Sequence, residues 1–267
     1  MTMIESMLLT LLVTVPGFSV PESVRCDPAT GYAYVSNIVG EGWGTDGVGF
    51  ISRLRPDGAV DQLKWRTRTA DRPLFAPKGM CILNGWLYVA DNAVVQCFSL
   101  TGPECRTVTL RGAVKLNDLA TDGRLVYASD TGTGGVLSFD PADPLRTTRM
   151  RGVPVINGIT WHEGHLYCVS WETHEVYELD PTGRTEPRPF GLAEHFDTLD
   201  GIEVLPNGDF IVTAFMFDKV FRISADRQQV TLVAEVKSPA DIGVDLQRGR
   251  LYVPQFYGDA VSVYQMK

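Results

Sequence analysis

The chain has 267 residues, an ordinary apolar fraction and a formal charge of −8. That length is enough to bury a large core as one or two ordinary domains. The acidic balance, with no basic stripe and no run of like charge, argues against a nucleic-acid partner.

The first predicted element is the apolar run Met7–Val15. No Lys or Arg precedes it, Glu5 interrupts the apolar stretch, and no small-residue cleavage site is evident. The run is too short to cross a bilayer as a helix. It reads as a β-strand, with no membrane partner; a trimmed export signal is the alternative.

Six related units follow. They open with Pro21-Glu22-Ser23-Val24, Pro77-Lys78-Gly79-Met80, Leu116-Asn117-Asp118-Leu119, Ile156-Asn157-Gly158-Ile159, Leu199-Asp200-Gly201-Ile202 and Pro239-Ala240-Asp241-Ile242. Apart from a longer first unit they recur about every 40 residues, a period typical of propeller blades. A turn comes next, such as Asn84-Gly85 or Asp122-Gly123, where glycine accepts positive φ. A second β-branched and aromatic phrase ends each hairpin, as in Tyr34-Val35-Ser36-Asn37 and Val126-Tyr127-Ala128-Ser129-Asp130. Third strands are predicted at Phe50–Leu54, Val136–Phe139, Val176–Leu179, Val220–Ile223 and Val261–Tyr264. No sustained helical period interrupts them.

The last unit stops after its third strand, at Lys267. Met7–Val15 therefore supplies the missing outer strand of the last blade. The expectation is an all-β, six-bladed propeller of four-stranded antiparallel blades, one domain over 1–267, closed by the N-terminal strand. Each blade would bury its faces only against its neighbours. Nothing in the sequence suggests an oligomerisation element, so a monomer is expected.

In such a ring the first phrase starts the innermost strand, and its polar residue lies at the mouth of the central channel. Glu22, Lys78, Asn117, Asn157 and Asp200 should meet there, with Asn37, Asp91, Asp130, Ser170 and Gln255 in an outer ring. Loops on the same face carry Trp43, Trp171, Phe215, Met216, Phe217, Phe256 and Tyr257. A polar floor under an aromatic rim suits a small molecule. Asn37, Trp43, Asp130, Trp171, Phe215, Met216, Gln255 and Phe256 are the expected substrate-binding residues. Two carboxylates and two amide oxygens, from Glu22, Asp200, Asn117 and Asn157, suit calcium. They are the wrong set for zinc. In the competing reading these residues only hydrogen-bond one another in a wet channel.

Other chemistries find little support. The five cysteines have no disulfide or zinc spacing and favour a reducing compartment, hence a cytoplasmic location. No Gly-x-Ser-x-Gly elbow surrounds Ser23, Ser36, Ser129 or Ser170. His162, His165 and His174 lack zinc-protease spacing. His195 precedes Asp200 by a few residues and could overlook the channel.

The constellation resembles the senescence-marker-protein/gluconolactonase (regucalcin-like) family of calcium-dependent six-bladed hydrolases, related to paraoxonase and diisopropyl fluorophosphatase. The likeness runs from about Thr14 to Tyr264, and the order Glu, Asn, Asn, Asp is its most diagnostic part. It implies that Glu22, Asn117, Asn157 and Asp200 hold a catalytic calcium, with another divalent cation as alternative. It also implies a small-molecule substrate with a lactone or ester group, and makes Asp200 the candidate general base or nucleophile. Lys78 departs from the pattern, because paraoxonase has a proton-transferring His there. Three roles are open to Lys78: ion-pair partner of Glu22 or Asp200, base with lowered pKa, or replacement for the metal. A second calcium near Asp118 and Asp241 is known in the relatives, but two carboxylates do not make a cage. A non-catalytic binding propeller and a metal-free strictosidine-synthase-like enzyme are the alternatives on the same fold.

Overall fold

The computed structural model describes residues 9–67 and 73–267. Within them the chain forms six four-stranded sheets, each pairing its strands antiparallel. The sheets are the blades of a propeller. Their inner strands are Pro21–Cys26, Pro77–Leu83, Leu116–Thr121, Ile156–His162, Leu199–Val204 and Gly243–Asp245, in blades 1 to 6. The last is shorter than the sequence suggests. Pro239 and Asp241 ahead of it make only isolated bridges, to Gln255 and Ser23.

Blade 6 takes its outer strand from the other end of the chain. Leu9–Pro16 pairs with Ala260–Met266, from Leu9 opposite Met266 to Pro16 opposite Ala260. Met7 and Leu8 of the expected strand lie outside the described residues. The closure joins the two ends of the ring through the same ladder hydrogen bonds that build every blade.

The core lies between blades. Tyr88, Val95 and Cys97 of blade 2 cluster with Leu119, Val126 and Phe139 of blade 3. Val24, Val35 and Leu54 of blade 1 cluster with Tyr252, Val261 and Val263 of blade 6. Burying each such side chain contributes about 1.5–3 kcal/mol, and only a closed ring covers both faces of every blade.

One local irregularity recurs and shapes the channel. In blades 1 to 5 the register slips right after the first inner-strand residue: Pro21 faces Asn37 but Val24 faces Val35. The same slip separates Pro77 from Met80, Leu116 from Leu119, Ile156 from Ile159 and Leu199 from Ile202. Each is a β-bulge, with an extra residue on the inner strand. The bulge spans the polar residue and the one after it, so the pair escapes strict in-out alternation. A hydroxyl from the middle strand accepts the stranded N–H in three blades: Ser36 Oγ from Ser23 (2.9 Å), Ser129 Oγ from Asp118 (2.9 Å) and Thr213 Oγ1 from Gly201 (2.7 Å). Those small hydroxyl residues hold the backbone.

Candidate functional site

Where the inner strands begin, the channel widens into a cavity of about 320 Å³. Its floor is Glu22, Lys78, Asn117, Asn157 and Asp200. Trp171, Phe215, Met216, Phe256 and Tyr257 form one wall; Gly42, Trp43 and Thr131 stand on the other side of the ring. The wall is a continuous aromatic cluster. Phe215 lies 5.3 Å from Trp171, 5.5 Å from Phe256 and 5.7 Å from Tyr257, ring centre to ring centre.

All five floor residues are buried. Lys78 Nζ lies 3.9 Å from Glu22 Oε1. Glu22 Oε2 is buried with no hydrogen-bond partner. Asn117 donates from Nδ2 to Thr131 Oγ1 (3.2 Å), which in turn donates to the Ile156 carbonyl (2.5 Å). That pairing fixes the Asn117 amide and leaves its oxygen for a ligand. Burial raises the Glu22 carboxyl well above the ordinary range, opposed by Lys78 and reinforced by Asp200. Asp200 is pushed up to about 7 by burial and by the Asp241 anion, opposed by Lys78 and by a hydrogen bond from Asn157. Burial lowers Lys78, opposed by Glu22 and Asp200.

A second layer lies just below. Asp241 accepts from Ser23 Oγ at 2.6 Å, and Asp118 accepts from the N–H groups of Leu119 (2.6 Å) and Ile159 (2.8 Å). Arg25 faces this layer from beneath and is ion-paired with Glu203. The channel thus holds the buried carboxylates Glu22, Asp118, Asp200 and Asp241 against Lys78 and an Arg25 already shared with Glu203. Carboxylates outnumber cations, and burial without enough countercharge favours protonation.

A stability prediction follows from Asp241, whose carboxyl burial pushes from 3.8 up to about 7. The folded state keeps this proton where the unfolded chain has released it. Its stabilisation is complete below pH 3.8 and is lost as pH rises towards 7. Asp241→Asn keeps a neutral side chain and can still accept from Ser23. In chelator, wild type should therefore lose stability relative to Asp241→Asn between about pH 4 and 7. Denaturant midpoints of both proteins across that range check the sign. A wild type that gains on the variant with rising pH would contradict it.

Four residues expected around the pocket serve the scaffold instead. Asn37 is fully buried, accepts from Ser19 N–H (3.0 Å) and donates to Ser52 Oγ (3.0 Å). Asp130 accepts from the N–H groups of Lys115 (2.8 Å) and Val114 (3.1 Å), tying down the segment before its inner strand. Asp91 does the same for Ala76 and Phe75. Gln255 donates to Ser262 Oγ at 2.8 Å. Asn37, Asp91 and Asp130 hold the segment ahead of their own blade's inner strand and Gln255 bonds the adjacent strand, and none of the four lines the cavity. His195 sits half-exposed on a short 3-10 turn beside Glu194, away from the cavity lining. Trp43, Trp171, Phe215, Met216 and Phe256 do line it. Thr131, Val155 and Gly42 join them without any periodic signal in the sequence, and Tyr257 adds a ring that the loop Phe256-Tyr257 already announced.

Among the described residues no group of three or more His, Cys, Asp and Glu forms a metal cluster. A cation on this floor would need the amide oxygens as well. The orphaned Glu22 oxygen, the Asn117 and Asn157 amides beside it and the excess of buried carboxylate fit a hard divalent ion.

No protein-family model and no curated protein matches the chain. Among solved structures 1214 chains match, as expected of a widely used scaffold. A provisionally assigned gluconolactonase aligns with a TM-score of 0.72 at 16% identity, over 98% of this chain and 93% of its own. Luciferin-regenerating enzyme aligns at 0.68 and 15%, over 96% and 95%. Virginiamycin B lyase from Staphylococcus aureus aligns at 0.67 and 12%, over 97% and 99%. At these identities the likeness is one of fold, the β-propeller, which carries different activities in different proteins.

Proposed function

We propose that this protein is a metal-dependent hydrolase of a lactone or related ester, acting at the floor of the aromatic-walled cavity. One observation carries the reading: Glu22, Asn117, Asn157 and Asp200, from four blades, come together with buried oxygens at one end of the channel. Glu22, Asn117, Asn157 and Asp200 are the residues that would hold calcium or another hard divalent cation. When bound, the ion supplies polarisation of the scissile carbonyl and countercharge for the developing oxyanion.

The chain's own groups do the rest. Asp200, a buried carboxyl on the cavity floor, is the group placed to accept a proton from water. Asn157 hydrogen-bonds that carboxyl and orients it. Thr131 fixes the Asn117 amide so that its oxygen faces the floor. Phe215, Phe256 and Tyr257 present an apolar face for the substrate's non-reacting part and exclude water there. This favours a partly apolar lactone over a bare sugar lactone.

The test is turnover of a panel of alkyl and aryl lactones and esters by chelator-stripped protein. Calcium should restore at least about a hundred-fold of the activity. No turnover of lactones, aryl esters or phosphotriesters with calcium present would remove the reading. The ion pair between Lys78 and Glu22 supports a second one, a metal-free propeller that binds its ligand without chemistry. Calorimetry showing no calcium uptake would favour that.

A further inference from the structure

Lys78 is the floor residue whose type does not suit a cation site. Its ammonium stands 3.9 Å from Glu22 Oε1 and the side chain is 5% exposed. At 3.9 Å the contact is an ion pair and not a hydrogen bond. Glu22 is therefore half-engaged: Oε1 faces the ammonium, and Oε2 is buried without a partner.

Trp43 holds the ammonium from the other side. Its ring centre lies 4.4 Å from Lys78 Nζ and 5.3 Å from Lys115 Nζ. Trp43 comes from the glycine-rich segment 40–49 and lines the same cavity. An indole face attracts a cation most strongly when water is excluded. Lys78 thus has two partners in opposite roles: an anion on the floor and an aromatic face on the wall.

We propose that Lys78 is a tethered counter-cation for Glu22 that weakens the floor's grip on a divalent ion. The proposal rests on the cation site of the hydrolase reading and deepens it. Two positive charges would share one carboxylate, and in a buried site their repulsion is poorly screened. The ion enters only as the ammonium yields Glu22 and is left with Trp43 as its partner. Such a site exchanges its ion and responds to the free concentration, instead of keeping the ion as a permanent structural part. Without the ion, Lys78 spares Glu22 and Asp200 from being buried with no countercharge at all.

The experiment is calorimetric titration of calcium into chelator-stripped wild type, Lys78→Met, Lys78→Gln and Lys78→Arg, with thermal melts of each protein in chelator and in calcium. Met and Gln should lower the calcium Kd by about ten-fold or more. Arg, which keeps the charge, should stay near wild type. In chelator the Met and Gln variants should melt below wild type, and calcium should raise their melting temperatures by more than it raises that of wild type. Tryptophan emission should change on calcium addition in wild type and less so in Lys78→Met, since Trp43 there has no Lys78 ammonium over its ring to be displaced from Glu22. Where Lys78→Met does not fold without calcium, Lys78→Gln carries the comparison. Equal or weaker calcium affinity in both neutral variants overturns the proposal, as does the absence of calcium binding in all four proteins. Lactone turnover measured on the same wild-type samples separates the two ideas: an affinity difference without turnover refutes the hydrolase and retains the counter-cation, and turnover without the difference does the reverse.

Discussion

On the proposed hydrolase reading, Asp200→Asn is expected to lower lactone turnover by about three orders of magnitude while leaving the protein folded. The substitution keeps the size of the side chain. An amide is also no worse buried than a carboxyl that is already pushed up to about 7. What it removes is chemical: an oxygen that can take a proton from water, and one of two anionic groups on the floor facing the cavity. Losing a positioned general base typically costs a factor of about a hundred to ten thousand. The lost countercharge adds to this by weakening calcium binding. The measurements are kcat at saturating calcium, the calcium Kd and a thermal melt. Turnover within ten-fold of wild type at saturating calcium would assign the base to another group.

Gly158→Ala is expected to be among the more damaging small substitutions in the channel. A Cβ there would lie 2.4 Å from the Asp200 carbonyl oxygen, 3.0 Å from Gly201 Cα and 3.1 Å from the Ile202 nitrogen. All three are backbone atoms of the neighbouring blade, so no rotamer change relieves the overlap. Blades 4 and 5 would have to move apart, at a cost of about 3 kcal/mol or more. For a domain of this size that corresponds to a fall in Tm of roughly 6–12 °C. The same movement would separate Asn157 from Asp200, so calcium affinity and turnover should fall together with stability. Gly42→Ala is the control: it lines the cavity, yet nothing lies within 4 Å of its added methyl. Its effect should stay within about 0.5 kcal/mol. A Gly158→Ala protein as stable as Gly42→Ala would show that the inner strands are not held at this spacing.

The close approach at Gly158 also explains what could be read from the chain alone. The polar residue changes from Glu22 to Lys78 to Asn117 while the apolar frame around it stays, which identifies one structural position used repeatedly. Closure by Leu9–Pro16 was readable for a similar reason: the last unit lacked one strand and the N-terminal run had no other sheet to join. The outer ring was not readable. Asn37 and Asp130 end their strands in the same pattern whether they face a ligand or cap the backbone ahead of their own blade's inner strand. Only their partners, Ser19 N–H and the N–H groups of Val114 and Lys115, tell the two apart. The bulges escaped for another reason. They depend on how an inner strand pairs with its neighbour, and nothing in Pro21-Glu22-Ser23-Val24 states that Ser36 Oγ will take up the Ser23 N–H.

Strand period, turn chemistry and the repeat are local properties, written residue by residue, and they were sufficient for a six-bladed ring with Glu22, Asn117, Asn157 and Asp200 at its centre. The character of that centre is collective. A carboxyl pushed up to about 7 at Asp200, an orphaned oxygen on Glu22 and an ammonium between Glu22 and Trp43 arise from burial and charge proximity among groups that come from different blades and stand well apart along the chain. Desolvation and Coulomb energy depend on distances through space, which a linear pattern of residues does not contain.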